Sequence, residues 1–299
     1  MEIKNLNSFL QVATTQNFTK AASILGYSQS NISVHIQQLE EELGVLLFNR
    51  LSKKVVLTQY GEALIPYAKQ CLSSALQIES LFQNDTVLKG NIRIGFTEST
   101  FESFFEKTIV KFHEKYPHVS AEITVDATSR LLKQLDSSEL DIVILIGVPQ
   151  NYTNIKHHYI KKSDIYIVAS TNHPLALKQE EILPCDLYDM EFILTENTSP
   201  YNISFQQFLM EENIHIRSYI KLQSPKMIIS LLKRGSYLSV LPDFTITNAV
   251  NSGELVKLRV PDYSCNQAIQ ILTHKNTIIS PPMNGFLRRI EMVIEKNEI

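Results

Sequence analysis

The 299-residue sequence has no tryptophan, nine glycines and three cysteines, and it has no long apolar run. Cys71, Cys185 and Cys265 are widely spaced and form no CxxC pair, which argues against a disulfide framework and against a structural zinc site. The apolar run at 142–146 is far shorter than the roughly 20 residues that cross a bilayer, and the first residues lack the pattern of a secretory signal. We therefore expect a protein of the reduced cytoplasm without a membrane segment.

What the chain does contain is enough apolar material for folded cores. Hydrophobic residues make up 44% of the sequence, with 12 tyrosines and 14 phenylalanines, and the length predicts about two domains. The net charge is −3 and the pI is about 6.3, so the chain as a whole has no general attraction for nucleic acid. Any contact with nucleic acid must depend on where the charges lie.

The first part of the chain is predicted to be helical. Apolar residues recur three and four positions apart from Leu6 to Ala13, which is the pattern of an amphipathic helix. A second helix is predicted over about 19–25, with Gly26 at its end, and Ser28 is predicted to cap a third. Two short helices joined by a glycine turn are typical of a helix-turn-helix. The side chains predicted to be buried in the second and third helices are Ala21, Ala22, Ile24, Leu25, Ile32, Ile36, Leu39 and Leu43.

The outward side of the third helix is predicted to carry mainly amide and hydroxyl groups. Such groups can hydrogen-bond base edges in the major groove of DNA, whereas a valine offers only an apolar contact, for instance with a thymine methyl. The alternative is a solvated helix face, and the glutamates at 40–42 are interpreted in that way. The candidate base-reading residues are Gln29, Ser30, Ser33, Val34 and Gln37.

A hairpin is predicted to follow the third helix. The apolar residues at 46–48 are expected to complete a small core, and residues 50–58 to form two short strands with a basic tip. Cations at such a tip contact phosphates, which adds affinity but little sequence information. A merely solvated turn is the alternative. The candidate phosphate-binding residues are Arg50, Lys53 and Lys54.

A long helix is predicted from about 58 to 85. Its apolar residues are three and four positions apart over several turns, which indicates that it pairs with another helix. Pro66 falls inside this stretch, so we expect either a bend there or a later start of the helix.

From Gly90 onward, short β-branched runs alternate with helical stretches, which predicts an α/β architecture. The chain is expected to cross into a second lobe near 161–164 and to return near 262–267, leaving a cleft where a small ligand can bind. The predicted strands are 92–96, 121–125, 142–146, 165–169, 192–194, 219–222, 238–241 and 268–272. The predicted helices are 101–116, 130–136, 203–212, 225–233 and 284–296.

Several motifs resemble those of LysR-type transcriptional regulators, in order and spacing over the whole chain. The N-terminal matches are highly specific, and those beyond residue 89 are individually weak. The N-terminal motifs are LNSFLQVA at 6–13, FTKAA at 18–22, SQSNIS at 28–33, LEEELGVLLFNR at 39–50 and LTQYG at 57–61. The later motifs are GNIRIG at 90–95, YPHV at 116–119, HPLA at 173–176 and GSYLSVLP at 235–242.

The resemblance implies an α/β protein with an all-α N-terminal part. Its domains would be a winged helix-turn-helix at 1–58, a linker and dimerisation helix at 59–89, and a two-lobed effector domain of periplasmic-binding-protein type at 90–299. Lobe I would take about 90–162 and 266–299, and lobe II about 163–265. The implied partners are double-stranded promoter DNA, a small-molecule effector, RNA polymerase and further copies of the chain, as a homodimer or homotetramer. Family members often carry arginine near Val34, so less guanine readout is expected here.

The resemblance also indicates where an effector would bind. Related regulators use the loop after the first effector-domain strand and the start of the next helix, where hydroxyls and backbone N–H groups suit an anion. Because like charges repel at close range, either Glu98 points away from a bound anion or the effector carries an amine as well as an acid group. We expect a carboxylate- or amino-acid-like effector, with a zwitterionic or amide-bearing ligand as the hypothesis for Glu98. Ordinary N-caps are the alternative for the serines and threonines. The candidate effector-binding residues are Thr97, Glu98, Ser99, Thr100, Thr128, Gly147, Glu196, Ser199 and Ser224.

No motif of a common enzyme class is present. The sequence has no GxSxG, no phosphate loop, no HExxH and no dinucleotide fingerprint, so we predict neither catalysis nor a cofactor. His157 and His158 lack a third metal ligand at helical spacing, and Cys185 and Cys265 are interpreted as buried inert thiols rather than a redox pair. Two alternatives stay open: a ligand-binding module or enzyme whose N-terminal helices only oligomerise, and a DNA-binding regulator without an effector.

Overall fold

The computed structural model describes residues 1–49, 55–82, 89–261, 263, 265 and 267–296. The chain divides into two compact units, one on Met1–Thr86 and the other on Val87–Asp136 with Leu140–Ile299. Within the described residues, no helix is long and apolar enough to cross a membrane.

The N-terminal unit is helical apart from one short ribbon. Its elements are α1 (Ile3–Thr15), α2 (Phe18–Leu25), α3 (Gln29–Leu43), β1 (Phe48–Asn49), β2 (Val56–Leu57) and α4 (Gln59–Phe82). Side chains cap α2 and α3, since Asn17 accepts from the Lys20 N–H and Ser28 from the Asn31 N–H. Gly26 ends α2 with a φ of 70°, a left-handed conformation that glycine adopts without steric cost.

The core of this unit corrects three predicted buried positions. Leu6, Phe9, Ile32, Ile36 and Leu39 are buried together with Leu47 and Phe48. Ile24, however, is 56% exposed because it lies outside the arc of α2 that holds Ala21 and Ala22. Leu43, the last residue of α3, and Leu46, just past the turn at Gly44, are also exposed because the chain reverses direction there.

Glu40 does not belong to a solvated face, contrary to the sequence prediction. Its side chain is buried, and its Oε1 accepts hydrogen bonds from the Leu47 N–H at 2.7 Å and from the Phe48 N–H at 3.2 Å. These backbone groups enter the core just before β1 and need an acceptor there. Glu41 and Glu42 are exposed, as predicted.

The long helix α4 begins at Gln59 and passes through Pro66. The helix therefore begins one residue after Thr58 and keeps Pro66 in its interior. Ala68 of this helix is buried in the same core as α1 and α3, so tertiary packing stabilises a helix that carries an unfavourable interior proline.

The C-terminal unit contains two five-stranded sheets. Its strands are β3 (Gly90–Phe96), β4 (Val119–Val125), β5 (Ile142–Gly147), β6 (Ile155–Ser163), β7 (Ile165–Ser170), β8 (Glu191–Leu194), β9 (Arg217–Lys221), β10 (Leu238–Pro242), β11 (Leu255–Leu258) and β12 (Gln267–His274). Its helices are α5 (Glu98–Lys115), α6 (Thr128–Asp136), α7 (Pro174–Leu177), α8 (Pro200–Glu211), α9 (Pro225–Leu232), α10 (Asp243–Asn251) and α11 (Pro281–Lys296), with a 3₁₀ turn at Pro184–Leu187.

The first sheet has the order β4-β3-β5-β12-β6, and the second has the order β11-β7-β10-β8-β9. In the first sheet, β3, β4 and β5 are parallel, while β12 is antiparallel to both of its neighbours. Every residue of β5 is buried, as expected for a strand covered on both faces. We call the part of the unit built on the first sheet lobe I and the part built on the second sheet lobe II.

The eight predicted strands are present with small changes at their ends, but sequence patterns missed β6, β11, α7 and α10. Polar residues dominate β6, since Lys156, His157 and His158 precede Tyr159. The helix α10 contains threonines and an isoleucine that disfavour helix, and it forms because Phe244 and Ile246 are buried against the sheet.

Candidate functional site

The outward side of α3 exposes Gln29, Ser30, Val34 and Gln37, while Ser33 is half-buried. The polar groups bond to one another along the helix rather than to the core. Gln29 Nε2 donates to Ser33 Oγ at 2.9 Å, and Gln37 Nε2 donates to Glu41 Oε1 at 2.8 Å. Such exposed bonds exchange readily with other partners, so these groups are available to an approaching ligand.

The opposite side of α3 is fastened to α1 by a buried histidine. His35 Nδ1 lies 2.8 Å from Ser8 Oγ, and the Tyr27 ring packs edge-on against the imidazole at 5.2 Å between ring centroids. Burial, and secondarily the nearby Lys4 ammonium, lowers the pKa of His35. The imidazole therefore stays neutral at neutral pH and holds the orientation of α3.

The predicted hairpin is present, but its first strand lies at Phe48–Asn49, before the predicted range of 50–58. Phe48 pairs with Leu57 and Asn49 with Val56 in antiparallel register. Its basic tip, with Arg50, Lys53 and Lys54, lies outside the described residues. The helix α3 contains no lysine or arginine. Phosphate contacts therefore have to come from other segments.

In the C-terminal unit, a cavity of about 310 Å³ lies where the first turns of α5, α6 and α8 meet. This volume is at the lower end of ligand-site volumes. Six of the nine candidate effector residues line it: Thr97, Glu98, Ser99, Thr128, Glu196 and Ser199. Lining residues that sequence analysis missed include Asp126, Arg130, Thr195, Tyr201 and Gln223. Asp126 and Thr195 directly follow β4 and β8, so the rule that ligands bind beyond the carboxyl ends of strands could have found them.

Three candidates do not line this cavity. Thr100 is fully buried, and its hydroxyl shares its one hydrogen between the carbonyls of Thr97 and Ile144. Gly147 accepts a hydrogen bond from Gln270 Nε2 at 3.0 Å. Ser224 caps α9, as in the alternative interpretation, by accepting from the Met227 N–H.

The cavity is acidic, and its carboxylates are partly buried. Burial raises the pKa of Glu98, and the neighbouring carboxylates of Glu102 and Glu196 raise it further. Asp126 accepts from Arg130 Nε at 3.0 Å, which compensates both charges. Burial also raises the pKa of Tyr201 to about 12, so its phenol remains a neutral donor.

Glu102 links the two lobes beside this cavity. From α5 of lobe I, its carboxylate accepts from Ser224 Oγ at 2.5 Å and from the Lys226 N–H at 2.9 Å, at the start of α9 in lobe II. A carboxylate at a helix N-terminus satisfies free N–H groups and interacts favourably with the helix dipole. A bond that holds the lobes together therefore lies one helical turn from Glu98.

The histidines and cysteines considered as metal or redox candidates do not line this cavity. His157 Nε2 lies 3.0 Å from Gln270 Oε1, and His158 Nε2 lies 2.8 Å from Thr273 Oγ1, so both rings are hydrogen-bonded across β6 and β12. Cys265 is buried, and burial raises its pKa. Cys185 is exposed, which corrects the prediction of a buried thiol.

Comparison with known proteins identifies the family. The model of the LysR substrate binding domain matches residues 85–293, and the model of bacterial regulatory helix-turn-helix proteins of the lysR family matches residues 3–62. The chain belongs to the LysR family. It is a transcriptional regulator with a helix-turn-helix and an effector-binding domain, not an enzyme.

Full-length relatives and a full-length structure agree with this assignment. The regulator is 27% identical to the uncharacterised HTH-type transcriptional regulator YwqM of Bacillus subtilis, over 96% of this chain and 97% of YwqM. It is 26% identical to the RuBisCO operon transcriptional regulator of Allochromatium vinosum, over 96% and 94% of the two chains. The fold resembles a full-length OxyR variant of Pseudomonas aeruginosa with a TM-score of 0.70 and 23% identity, over 98% of this chain and 95% of that one.

Proposed function

We propose that this LysR-family regulator reads promoter DNA with the outward side of α3 and senses a small carboxylate- or amino-acid-like effector in the cavity of its C-terminal unit. The DNA-binding domain would be 1–58, the dimerising linker 59–89 and the effector domain 90–299. Base readout is assigned to Gln29, Ser30, Ser33, Val34 and Gln37. Phosphate contacts are assigned to Arg50, Lys53 and Lys54.

The observation that carries the effector proposal is the meeting of three helix N-termini at one cavity. Backbone N–H groups at helix starts favour a carboxylate, and the hydroxyls of Thr97, Ser99, Thr128 and Ser199 line the same space. A carboxylate bound there would contact residues of both lobes, because Thr97 belongs to lobe I and Ser199 to lobe II.

Coupling between the two sites would act by population shift. An effector that bridges the lobes favours their closed arrangement, and this changes the geometry of the homodimer or homotetramer on DNA and its contact with RNA polymerase. Allosteric coupling of this kind amounts to about 1–3 kcal/mol, enough to change site occupancy several-fold. Promoter DNA as the target implies action in the cytoplasm.

The test is binding of the purified protein to DNA upstream of its own gene, compared with scrambled DNA, over a salt series. We expect the native fragment to bind about a thousandfold more tightly or better, with affinity that falls steeply as salt rises. Equally weak binding of both DNAs at low salt would contradict the prediction that the operator lies in this fragment. Repeating the titration with Gln29→Ala separates base readout from general attraction.

A further inference from the structure

The charges that line the effector cavity do not balance. Its described lining residues include three carboxylates, Glu98, Asp126 and Glu196, and one cation, Arg130. Arg130 is already paired with Asp126 at 3.0 Å. Two carboxylates therefore remain without a protein cation, in a cavity whose helix N-termini would otherwise suit an anion.

Of these carboxylates, Glu98 is the one for which the described residues supply no partner. Glu196 Oε2 accepts from Gln223 Nε2 at 3.1 Å, and the nearby Glu102 accepts from Ser224 and Lys226. Glu98 makes no hydrogen bond and no ion pair with any residue that the structure describes. A partly buried carboxylate next to two like charges is unfavourable unless a cation or donor from outside compensates it.

A second group of unused acceptors lines the same cavity. Thr195 is only 3% exposed, and neither its Oγ1 nor the buried Ser199 Oγ has a hydrogen-bond partner among the described residues. The Tyr201 hydroxyl lies near both oxygens without completing a hydrogen bond to either. Buried hydroxyls without partners are uncommon in folded proteins, so these two oxygens are free to bond to a group that enters the cavity.

The groups around Glu98 suit an organic cation better than a metal ion. Within the described residues, no three His, Cys, Asp or Glu side chains are placed to hold a metal ion. An ammonium group, in contrast, needs one carboxylate and a few neutral oxygen acceptors, since it carries three donors.

We propose that the cavity contains an ammonium subsite in which Glu98 pairs with an amine of the effector and the Thr195 and Ser199 hydroxyls accept its remaining hydrogens. The effector class is then a small amine, with an amino acid preferred over the dicarboxylate of the same length. This proposal rests on the proposed function, because it assigns the chemistry of the same cavity.

The experiment measures ligand-induced stabilisation of the full-length protein by matched probes. L-glutamate is compared with glutarate and L-aspartate with succinate, so that each pair differs only in the amine, and putrescine tests an amine without a carboxylate. We expect at least one amine-bearing probe to raise Tm, and its amine-free counterpart at the same concentration to have no effect.

The variant Glu98→Gln keeps the size of the side chain and removes its charge, and Glu106→Gln, an exposed position on α5, is the matched control. Calorimetry is expected to show that the responding amine binds about tenfold or more weakly to Glu98→Gln and unchanged to Glu106→Gln, as for a lost charge-assisted hydrogen bond. Promoter binding without ligand is expected to be unchanged in both variants, which shows that they are folded.

Three outcomes would overturn the subsite. Glutarate or succinate binds as tightly as its amino-acid partner, Glu98→Gln binds the amine as well as the wild type does, or no amine-bearing probe raises Tm. Failure of the proposed function looks different: the wild type would then show no preference for promoter DNA, whatever the amines do.

Discussion

The outward side of α3 and the effector cavity use the same chemistry in opposite environments. Both contain uncharged polar groups. On α3 these groups form hydrogen bonds along the outward side of the helix, whereas Thr195 Oγ1 and Ser199 Oγ are buried and have no partner among the described residues. Exposed polar groups lose little when a partner is absent because water replaces it, while buried ones lose the full interaction. Substitutions on α3 should therefore change binding and leave stability alone, and buried polar substitutions should change stability in a direction set by their partners.

The largest stability effect is expected where a buried charge has two partners. Glu40→Ala leaves the Leu47 and Phe48 N–H groups unpaired in the core and should lower the stability of the N-terminal unit by roughly 2–4 kcal/mol. Glu41→Ala, one residue further along α3 and exposed, should change stability by less than about 0.5 kcal/mol. Thermal unfolding of both variants measures the difference, and similar losses would contradict the buried role of Glu40.

On the outward side of α3, a substitution is expected to change the affinity for DNA and not the stability of the fold. Gln29→Ala should weaken binding to the promoter fragment by about 1–3 kcal/mol and leave binding to scrambled DNA nearly unchanged, because an amide that reads a base contributes only at the correct sequence. Gln38→Ala, on the side of α3 that meets Asn5, is the control. A fluorescence titration with equal losses on both DNAs would show that Gln29 does not read sequence.

Two buried threonines sharpen the comparison inside the C-terminal unit. Thr100→Val removes hydroxyl bonds to the Thr97 and Ile144 carbonyls and should destabilise by about 1–2 kcal/mol. Thr195→Val removes a hydroxyl without a partner, so its stability should be unchanged or up to about 1 kcal/mol higher, at the expense of effector binding. Urea unfolding of the two variants distinguishes them, and equal losses would mean that Thr195 is already paired in the free protein.

The smallest effect is a pH dependence of the stability that His35 contributes where α3 packs against α1. Because the pKa of His35 is lowered in the folded state, the unfolded chain takes up the proton first as the pH falls below about 6.5. Stability from this group is therefore present above that pH and is lost as the pH decreases. Tm should fall between pH 7 and pH 5, and less so in His35→Gln. Identical pH profiles would show that His35 does not contribute.

Periodicity and capping predicted the helix-turn-helix well because its interactions are local. The stripe from Leu6, the cap at Ser28 and the turn at Gly26 are each specified within a few residues. Glu40 escaped the same analysis because its partners, Leu47 and Phe48, lie beyond a chain reversal. The strand β6 escaped because its polar residues resemble a loop, and its hydrogen bonds go to β12, more than one hundred residues away.

Most of the candidate residues that line the cavity were predicted from the sequence, but the partners of its charged side chains were not. Positions after strands and at helix starts were visible in the sequence, which is why Thr97, Glu98 and Ser199 were found. Asp126 and Arg130 lie four residues apart at the start of α6, so their pairing is local. That Glu98 has no partner among the described residues depends on the mutual placement of α5, α6 and α8.

The sequence by itself determined the family, the order of the two kinds of architecture and most local elements, because caps, turns and apolar spacing act over a few residues. Only the tertiary structure decided which polar groups are buried and which of them have partners. Burial and pairing depend largely on segments far apart in the chain. Whether a buried carboxylate stabilises or destabilises the fold depends on whether another segment brings a hydrogen-bond donor or a cation next to it.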